Sequence, residues 1–347
     1  MRRTGILLGF LGLALATGLI LSEGWRLVFQ ALALAGGGLF WAALFHVVPM
    51  ALNARGFGLL LPRRRGRTFP FFLWLIWIRE SVDGLLPVAR VGGSLVSIRL
   101  MARSGVPFDL SVGSLVVDTT VSLGTQLLFL ALGLGLLAWR TPSFEIVRIT
   151  LGVLALVPIL VAFILVQKAG LFGLGARALK SLFKDRPAAL EGGARLDRAI
   201  HRLYRRRGAL LRSAIFQLLG WVAGAGEIYL AMLFLGHPVS LLDSVALTAT
   251  IQAVSSAFFL VPGAVGVQEA GFMLLGSLLG VSPGVALTLA LARRVRDVVL
   301  FVPGLVAFQL DEALQKRADG SEAETAYLLP TSWLQRRTRP AERRTSE

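Results

Sequence analysis

Residues 80–107 read ESVDGLLPVARVGGSLVSIRLMARSGVP. Arg79, Glu80, Asp83 and Arg90 stand here among Leu, Val and Ile, and Pro87 and the Gly92-Gly93 pair interrupt the run. Ionisable groups are expensive in hydrocarbon. A Pro–Gly break also frees amides and carbonyls that only surrounding protein or a watery cavity satisfies at membrane depth. Residues 257–283, AFFLVPGAVGVQEAGFMLLGSLLGVSP, repeat the pattern with Pro262, Gly263, Gly266 and Glu269. Pro87 matches Pro262 and Gly105 matches Gly280 at one shift of 175 positions, and Gly92 matches Gly266 with a one-residue slip. The rest of the chain is scaffolding around these two interruptions.

The chain has 347 residues, 55% of them hydrophobic and 16% charged, with a mean hydropathy of +0.71. A soluble domain carries about 25% charged residues, so the class is an all-α polytopic membrane protein. The net charge of +16 comes from basic residues in short connections between apolar runs. That is the positive-inside pattern, not a nucleic-acid footprint, and nucleic acid is not expected as a partner. The chain has no cysteine, and His46, His201 and His237 lie far apart. Disulfides, thiolate metal sites and metal chemistry are therefore not expected, nor is any other cofactor. A GxxxxGK[ST] loop, a DxD pair, HExxH and a nucleophile elbow are all missing, and no soluble stretch is long enough for a catalytic domain. The chain reads as a non-enzyme. Its start, MRRTGILLGFLGLALATGLIL, lacks a polar cleavage region and reads as an uncleaved first helix with a cytoplasmic N-terminus.

A spanning helix needs about 20 mostly apolar residues. The runs 4–22, 27–52, 111–139, 146–167, 209–235 and 284–310 qualify, while 69–104 and 240–281 contain the breaks. The loop 53–68 holds Arg55, Arg63, Arg64, Arg65 and Arg67, and the segment 168–208 is similarly rich in Lys and Arg. Both should be cytoplasmic. Both fall inside only if 69–104 is a hairpin that returns to the cytoplasm. The region 240–281 then becomes a second hairpin entered from outside. The expected architecture is six full spans plus two opposed broken-helix hairpins in an inverted repeat, with both termini cytoplasmic. One integral membrane domain covers 1–310, with repeats at about 69–167 and 209–310 joined by 168–208. A polar tail, expected to be disordered, follows from 311 to 347. Within 168–208, Leu171, Phe172, Leu174, Leu179, Leu182 and Phe183 among lysines suggest a helix lying on the anionic leaflet, or else a solvated basic connector.

Polar groups within the spans form the candidate substrate site. The run 284–310 carries Arg293, Arg294, Arg296 and Asp297, which cost about 10–14 kcal/mol at about 2.5–3.5 per central charge. Arg293 and Asp297 stand at i, i+4 and are spaced to pair. Ser111, Ser114, Asp118, Ser122 and Gln126 share one helix face, with Asp118 a partner for one of those arginines. Gln217, Gly220, Gly224 and Glu227 form a similar stripe. The helical fragments after Gly92 and Gly266 would aim partly positive N-termini at the bilayer centre. Together with Arg90 and Arg99 they describe an anion-favouring site, to which Glu80, Asp83 and Glu269 add tuning charges. The other reading of the same residues is a buried ion-pair network that fixes helix packing.

The two runs LLPVARVGGSLVSIRLMARSGVP and VPGAVGVQEAGFMLLGSLLGVSPGVALTLALARRVRD resemble the signatures of the lysylphosphatidylglycerol synthase membrane region. Pro87, Ala89, Arg90, Gly92, Arg99, Pro262, Gly263, Gly266, Glu269 and Arg294 stand at its motif positions. Gly93 replaces its usual Glu, and Asp118-Thr119 replaces its Glu-Arg pair. The details look most similar to the branch associated with hopanoid biosynthesis. The resemblance covers about residues 5–310. It implies a bacterial inner-membrane, flippase-like protein that handles lipids and lacks the soluble aminoacyl-lipid synthase domain. The expected partners are membrane lipids, a hopanoid or an anionic phospholipid. A non-catalytic accessory subunit docking lipid-biosynthesis enzymes through 168–208 is the alternative, and a lipid-modifying enzyme using Asp118, Glu227 or Glu269 ranks below both.

Overall fold

The computed structural model describes residues 37–62, 67–86, 92–140, 187–257 and 295–328, with scattered positions between 158 and 165 and between 272 and 293. Every regular element among the described residues is helical. Helices α1 (Gly38–Phe45) and α2 (Val47–Leu60) follow one another, then α3 (Phe69–Leu85), α4 (Gly92–Arg103) and α5 (Phe108–Arg140). Helices α6 (Pro187–Arg205), α7 (Arg207–Phe234) and α8 (Leu241–Ala257) come next. A π-helical turn at Asp297–Phe301 leads into α9 (Val302–Leu328).

Three stretches among the described residues are long and apolar enough to cross a bilayer: Gly38–Leu60, Phe108–Trp139 and Arg207–Phe234. The last two correspond to the expected spans 111–139 and 209–235. The first corrects the expected 27–52, because the helix runs on through Asn53 and Arg55. Met50, Ala54, Phe57 and Leu60 continue a buried stripe past Arg55, which is exposed on another face. One arginine on the outward face does not end a helix whose inward face is still packed. The span 4–22, most of 146–167, much of 284–294 and more than half of 240–281 lie outside the described residues.

The first broken stretch folds as a hairpin of two helices. α3 begins with Pro at its first turn and ends at Leu86, whose backbone is extended (φ −99°, ψ 142°). Leu86 precedes Pro87, and a residue before proline is pushed out of the α region. α4 closes on Gly105 at φ 73°, with the Val106 amide donating to the Met101 carbonyl at 3.0 Å. This left-handed glycine stop satisfies the last carbonyls of α4 and turns the chain into α5. Arg67, just before α3, and Pro107, just after α4, line one cleft. The hairpin thus returns to the end from which it left.

Helices α2 and α7 pack closely through small residues. A Cβ at Gly56 would lie 3.2 Å from the Ser213 carbonyl oxygen, and one at Gly220 would lie 2.6 Å from the Asn53 Oδ1. Small residues permit this approach where van der Waals contact, not water exclusion, joins helices. On α7 the opposite stripe, Leu211, Ile215, Leu219 and Val222, is exposed, as a lipid-facing surface should be. Within 168–208, helix α6 buries Ala199, Ile200 and Leu203 against α5, Gly113 meeting Ala199 and Ile200, while Arg195, Arg198 and Arg202 are exposed. Protein thus covers the apolar face of α6, while the residues that suggested a leaflet-lying helix stand before it. The positions 171–183 lie outside the described residues.

The chain divides into the compact units Met1–Gly304 and Leu305–Glu347. Helix α9 extends to Leu328, so residues 311–328, expected in a disordered tail, are helical.

Candidate functional site

Two polar layers occupy the space between α2, α3, α5, α7 and the π-helical turn. In the first, the Arg79 Nη1 donates to the Asp118 Oδ2 at 2.8 Å, and the Gln217 Nε2 donates to the Asp118 Oδ1 at 2.8 Å. Each of these residues stands about ten positions beyond the first residue of its own helix, α3, α5 or α7. At about 1.5 Å per residue that is about 15 Å, half of a hydrocarbon core of about 30 Å. Asp118 and Gln217 are buried. The expected partner for Asp118 was an arginine of 284–310; the partner is Arg79. Hairpin packing brings α3 against the polar face of α5, a juxtaposition that periodicity along α5 does not encode.

The second layer is centred on His46, at the joint between α1 and α2. Its Nδ1 lies 2.9 Å from the Glu227 Oε2 and its Nε2 lies 3.2 Å from the Glu80 Oε2. Arg296 Nη1 donates to both Glu227 oxygens at 3.3 Å, and its Nη2 donates to the Asp297 Oδ1 at 2.7 Å. The guanidinium also stands 5.3 Å from the Phe301 ring centre, and Arg293, itself buried, stands 5.5 Å from that of Phe272. Such cation–π contacts offset part of the cost of placing arginines in an apolar surrounding.

The π-helical turn Asp297–Phe301 shapes this layer. Single π turns arise where one ladder is interrupted and often sit at functional sites. Here Pro303 contributes no amide, and the Trp77 indole donates to the Leu300 carbonyl at 2.8 Å. Gly84 and Gly304 let α3 approach the turn: a Cβ at Gly84 would lie 2.8 Å from the Phe301 ring, and one at Gly304 would collide with Ser81.

The start of α4 is also occupied. The Gly93 amide donates to the Asp83 Oδ1 at 2.8 Å, so a carboxylate of the same hairpin sits at the positive helix end expected to take an external anion. A Cβ at Gly93 would lie 2.5 Å from the Arg79 carbonyl oxygen and 2.6 Å from the Asp83 Oδ2. A side chain does not fit there against the Arg79 backbone and Asp83, which accounts for glycine at position 93.

Of the sequence-assigned site residues, Glu80, Asp83, Asp118, Glu227, Arg296 and Asp297 meet in these two layers and at the neck of the hairpin. Arg293 lies one turn before Asp297, over Phe272. Arg99 is exposed, one turn short of the end of α4. Arg90, Glu269, Arg294, Pro87, Pro262, Gly263 and Gly266 lie outside the described residues. Two residues of these polar layers went unassigned. His46 was set aside because it lacks a ligand spacing; its signal was a lone imidazole in an apolar run. Arg79 was noted only as a charge beside Glu80, although its i, i+4 relation to Asp83 marks it as part of the same face. Within the described residues the charges pair with one another: Arg79 with Asp118, and Arg296 and His46 with Glu80, Glu227 and Asp297.

The family described as lysylphosphatidylglycerol synthase TM region matches residues 6–304 of the chain. No curated protein and no solved structure matches it.

Proposed function

We infer that this chain, which belongs to the lysylphosphatidylglycerol synthase TM region family, is a flippase-like lipid transporter with no catalytic step of its own. In this reading it sits in a bacterial inner membrane with both termini cytoplasmic. Its cargo is a hopanoid or an anionic phospholipid, consistent with the hopanoid-associated branch that its motifs resemble. One observation carries the reading: Arg79 and Asp118 from separate helices pair about ten positions into each helix, beside an interrupted hairpin, and ionisable side chains of further helices meet in a second layer. Intramembrane charges that face the bundle interior mark substrate and ion pathways by default, and broken helices place such sites near the midplane of transporters.

The geometry suggests how a head group would enter. Arg296 holds Glu227 at 3.3 Å and Asp297 at 2.7 Å, so an incoming phosphate competes with those carboxylates for a guanidinium already in place. Arg90, Arg294 and Glu269 complete the site in this reading. The test is lipid translocation in proteoliposomes with wild type, Arg296→Ala, Arg294→Ala and Glu269→Ala. Unchanged translocation in all three variants, beside an active wild type, rejects the site.

The accessory-subunit reading is favoured by the row Arg195, Arg198 and Arg202 exposed on α6. Charge reversal at Arg195 and Arg198 separates the two. An accessory protein loses its enzyme partner in co-purification, whereas a transporter retains translocation.

A further inference from the structure

His46 stands between two carboxylates, and its hydrogen bonds require a proton that neutral imidazole and ionised glutamates together do not supply. A neutral imidazole has one N–H and one lone pair, whereas the imidazolium donates from both nitrogens. Here both nitrogens face a carboxylate oxygen, at 2.9 Å and 3.2 Å. With both glutamates ionised and the ring neutral, one contact would set a nitrogen lone pair against an oxygen lone pair. The geometry is satisfied when the unit carries one more proton, either on the ring or on one carboxyl group.

We propose that His46, Glu80 and Glu227 form an exchangeable proton site that clasps the first hairpin to the helical core, and that the proton is the coupling ion of the transporter. The second half of this statement rests on the transport reading above; the site itself does not. The three residues belong to separate parts of the fold. His46 joins α1 to α2, Glu227 lies on α7, and Glu80 lies on the hairpin helix α3. Glu227 is the fixed side of the clasp: it is buried and held by Arg296, which Asp297 and the Phe301 ring hold in turn. Glu80 is the mobile side: its side chain is 27% exposed against 7% for Glu227, and its bond to His46 is the longer.

Loading forms an N–H bond on the imidazole, adds one positive charge and draws Glu80 to the ring. Release returns that proton to water, leaves His46 donating to Glu227 alone, and sets a lone pair against Glu80. The polar contact between α3 and the joint of α1 and α2 then becomes repulsive, leaving the packing of Phe72 on Phe57 to hold the helices together. Among the described residues, the other charged groups around this unit are Arg79 and Asp83 from α3, Asp118 from α5 through its bond to Arg79, and Arg293, Arg296 and Asp297 at the π-helical turn; α1 carries no charge, and Arg55 on α2 faces away. Arg296 on the same Glu227 carboxylate disfavours a metal cation as the occupant.

Two measurements on the full chain decide the proposal. The first is nitrogen NMR of ¹⁵N-histidine protein in lipid nanodiscs, where His46→Gln identifies one signal set among three histidines. The expected result is His46 protonated on both nitrogens near neutral pH in wild type and reverting to one neutral tautomer in Glu80→Gln. The complementary infrared difference between wild type and Glu80→Gln, and between wild type and Glu227→Gln, reads a protonated carboxyl directly. A neutral single-tautomer His46 with no protonated carboxyl band in either difference overturns the site. The second is phospholipid translocation in proteoliposomes with and without an imposed pH gradient. Acceleration by the gradient, with loss of that response in His46→Gln, supports coupling. Translocation indifferent to the gradient overturns coupling but leaves lipid transport standing. No translocation at all, beside a protonated His46, overturns transport and leaves the proton site standing.

Discussion

Replacing Arg79 by Met tests whether the first polar layer acts as a desolvated ion pair. In the wild type, Asp118 accepts from Arg79 and from Gln217, each at 2.8 Å, with its side chain 7% exposed. Arg79→Met leaves that carboxylate with one neutral donor. Breaking a buried pair from one side costs about 3–5 kcal/mol. Because the Arg79 side chain is 20% exposed, water reaches part of the site and the expected loss is at the lower end, about 3 kcal/mol. Asp118→Leu should cost less, about 1–2 kcal/mol, since Arg79 retains Asp83 one turn away on its own helix. The double variant Arg79→Met/Asp118→Leu removes both charges together, and its expected cost is about 1 kcal/mol. The assay is reversible denaturant unfolding in detergent micelles, followed by far-ultraviolet circular dichroism and closed as a double-mutant cycle. Additive single effects, with a double variant as unstable as their sum, would refute the pairing.

Other outcomes follow from close contacts. Gly93→Ala should destabilise the hairpin by about 1–3 kcal/mol, and adding Asp83→Ala should not restore it, because the Arg79 carbonyl oxygen still lies 2.5 Å from the new Cβ; thermal unfolding reads both. Trp77→Phe removes the donor to the Leu300 carbonyl and should cost about 1 kcal/mol by the same unfolding assay. Ile200→Asp buries a charge between α6 and α5 and should release α6, seen as faster tryptic cleavage at Arg195, Arg198 and Arg202 with the spanning helices retained.

The class of this protein, the interruption at Pro87 and the hairpin return were legible without coordinates. Each rests on a local or cumulative property. Apolar runs of sufficient length have to satisfy their backbone as helices in lipid. A proline drives the residue before it out of the helix, as Leu86 shows. The basic connections left only a hairpin as the path for 69–104, and Arg67 and Pro107 share one cleft accordingly. The end of the first described span was missed because a lone arginine weighs heavily in a composition count and little on an outward helix face.

Pairings among the charges were not legible, because they join residues far apart in the chain. Glu227 meets His46 across 181 positions, and Asp118 meets Gln217 across 99. Periodicity shows which residues share a face, but not which face of which neighbour they will meet. From the sequence alone, the chain is committed to a membrane, to its breaks and to the presence of intramembrane charge. The tertiary structure alone assigns Asp118 to Arg79, puts Asp83 where an external anion was expected, and turns a histidine without a motif into the bridge between two glutamates. Burial makes the sum of charges a requirement, whereas packing geometry chooses the partners.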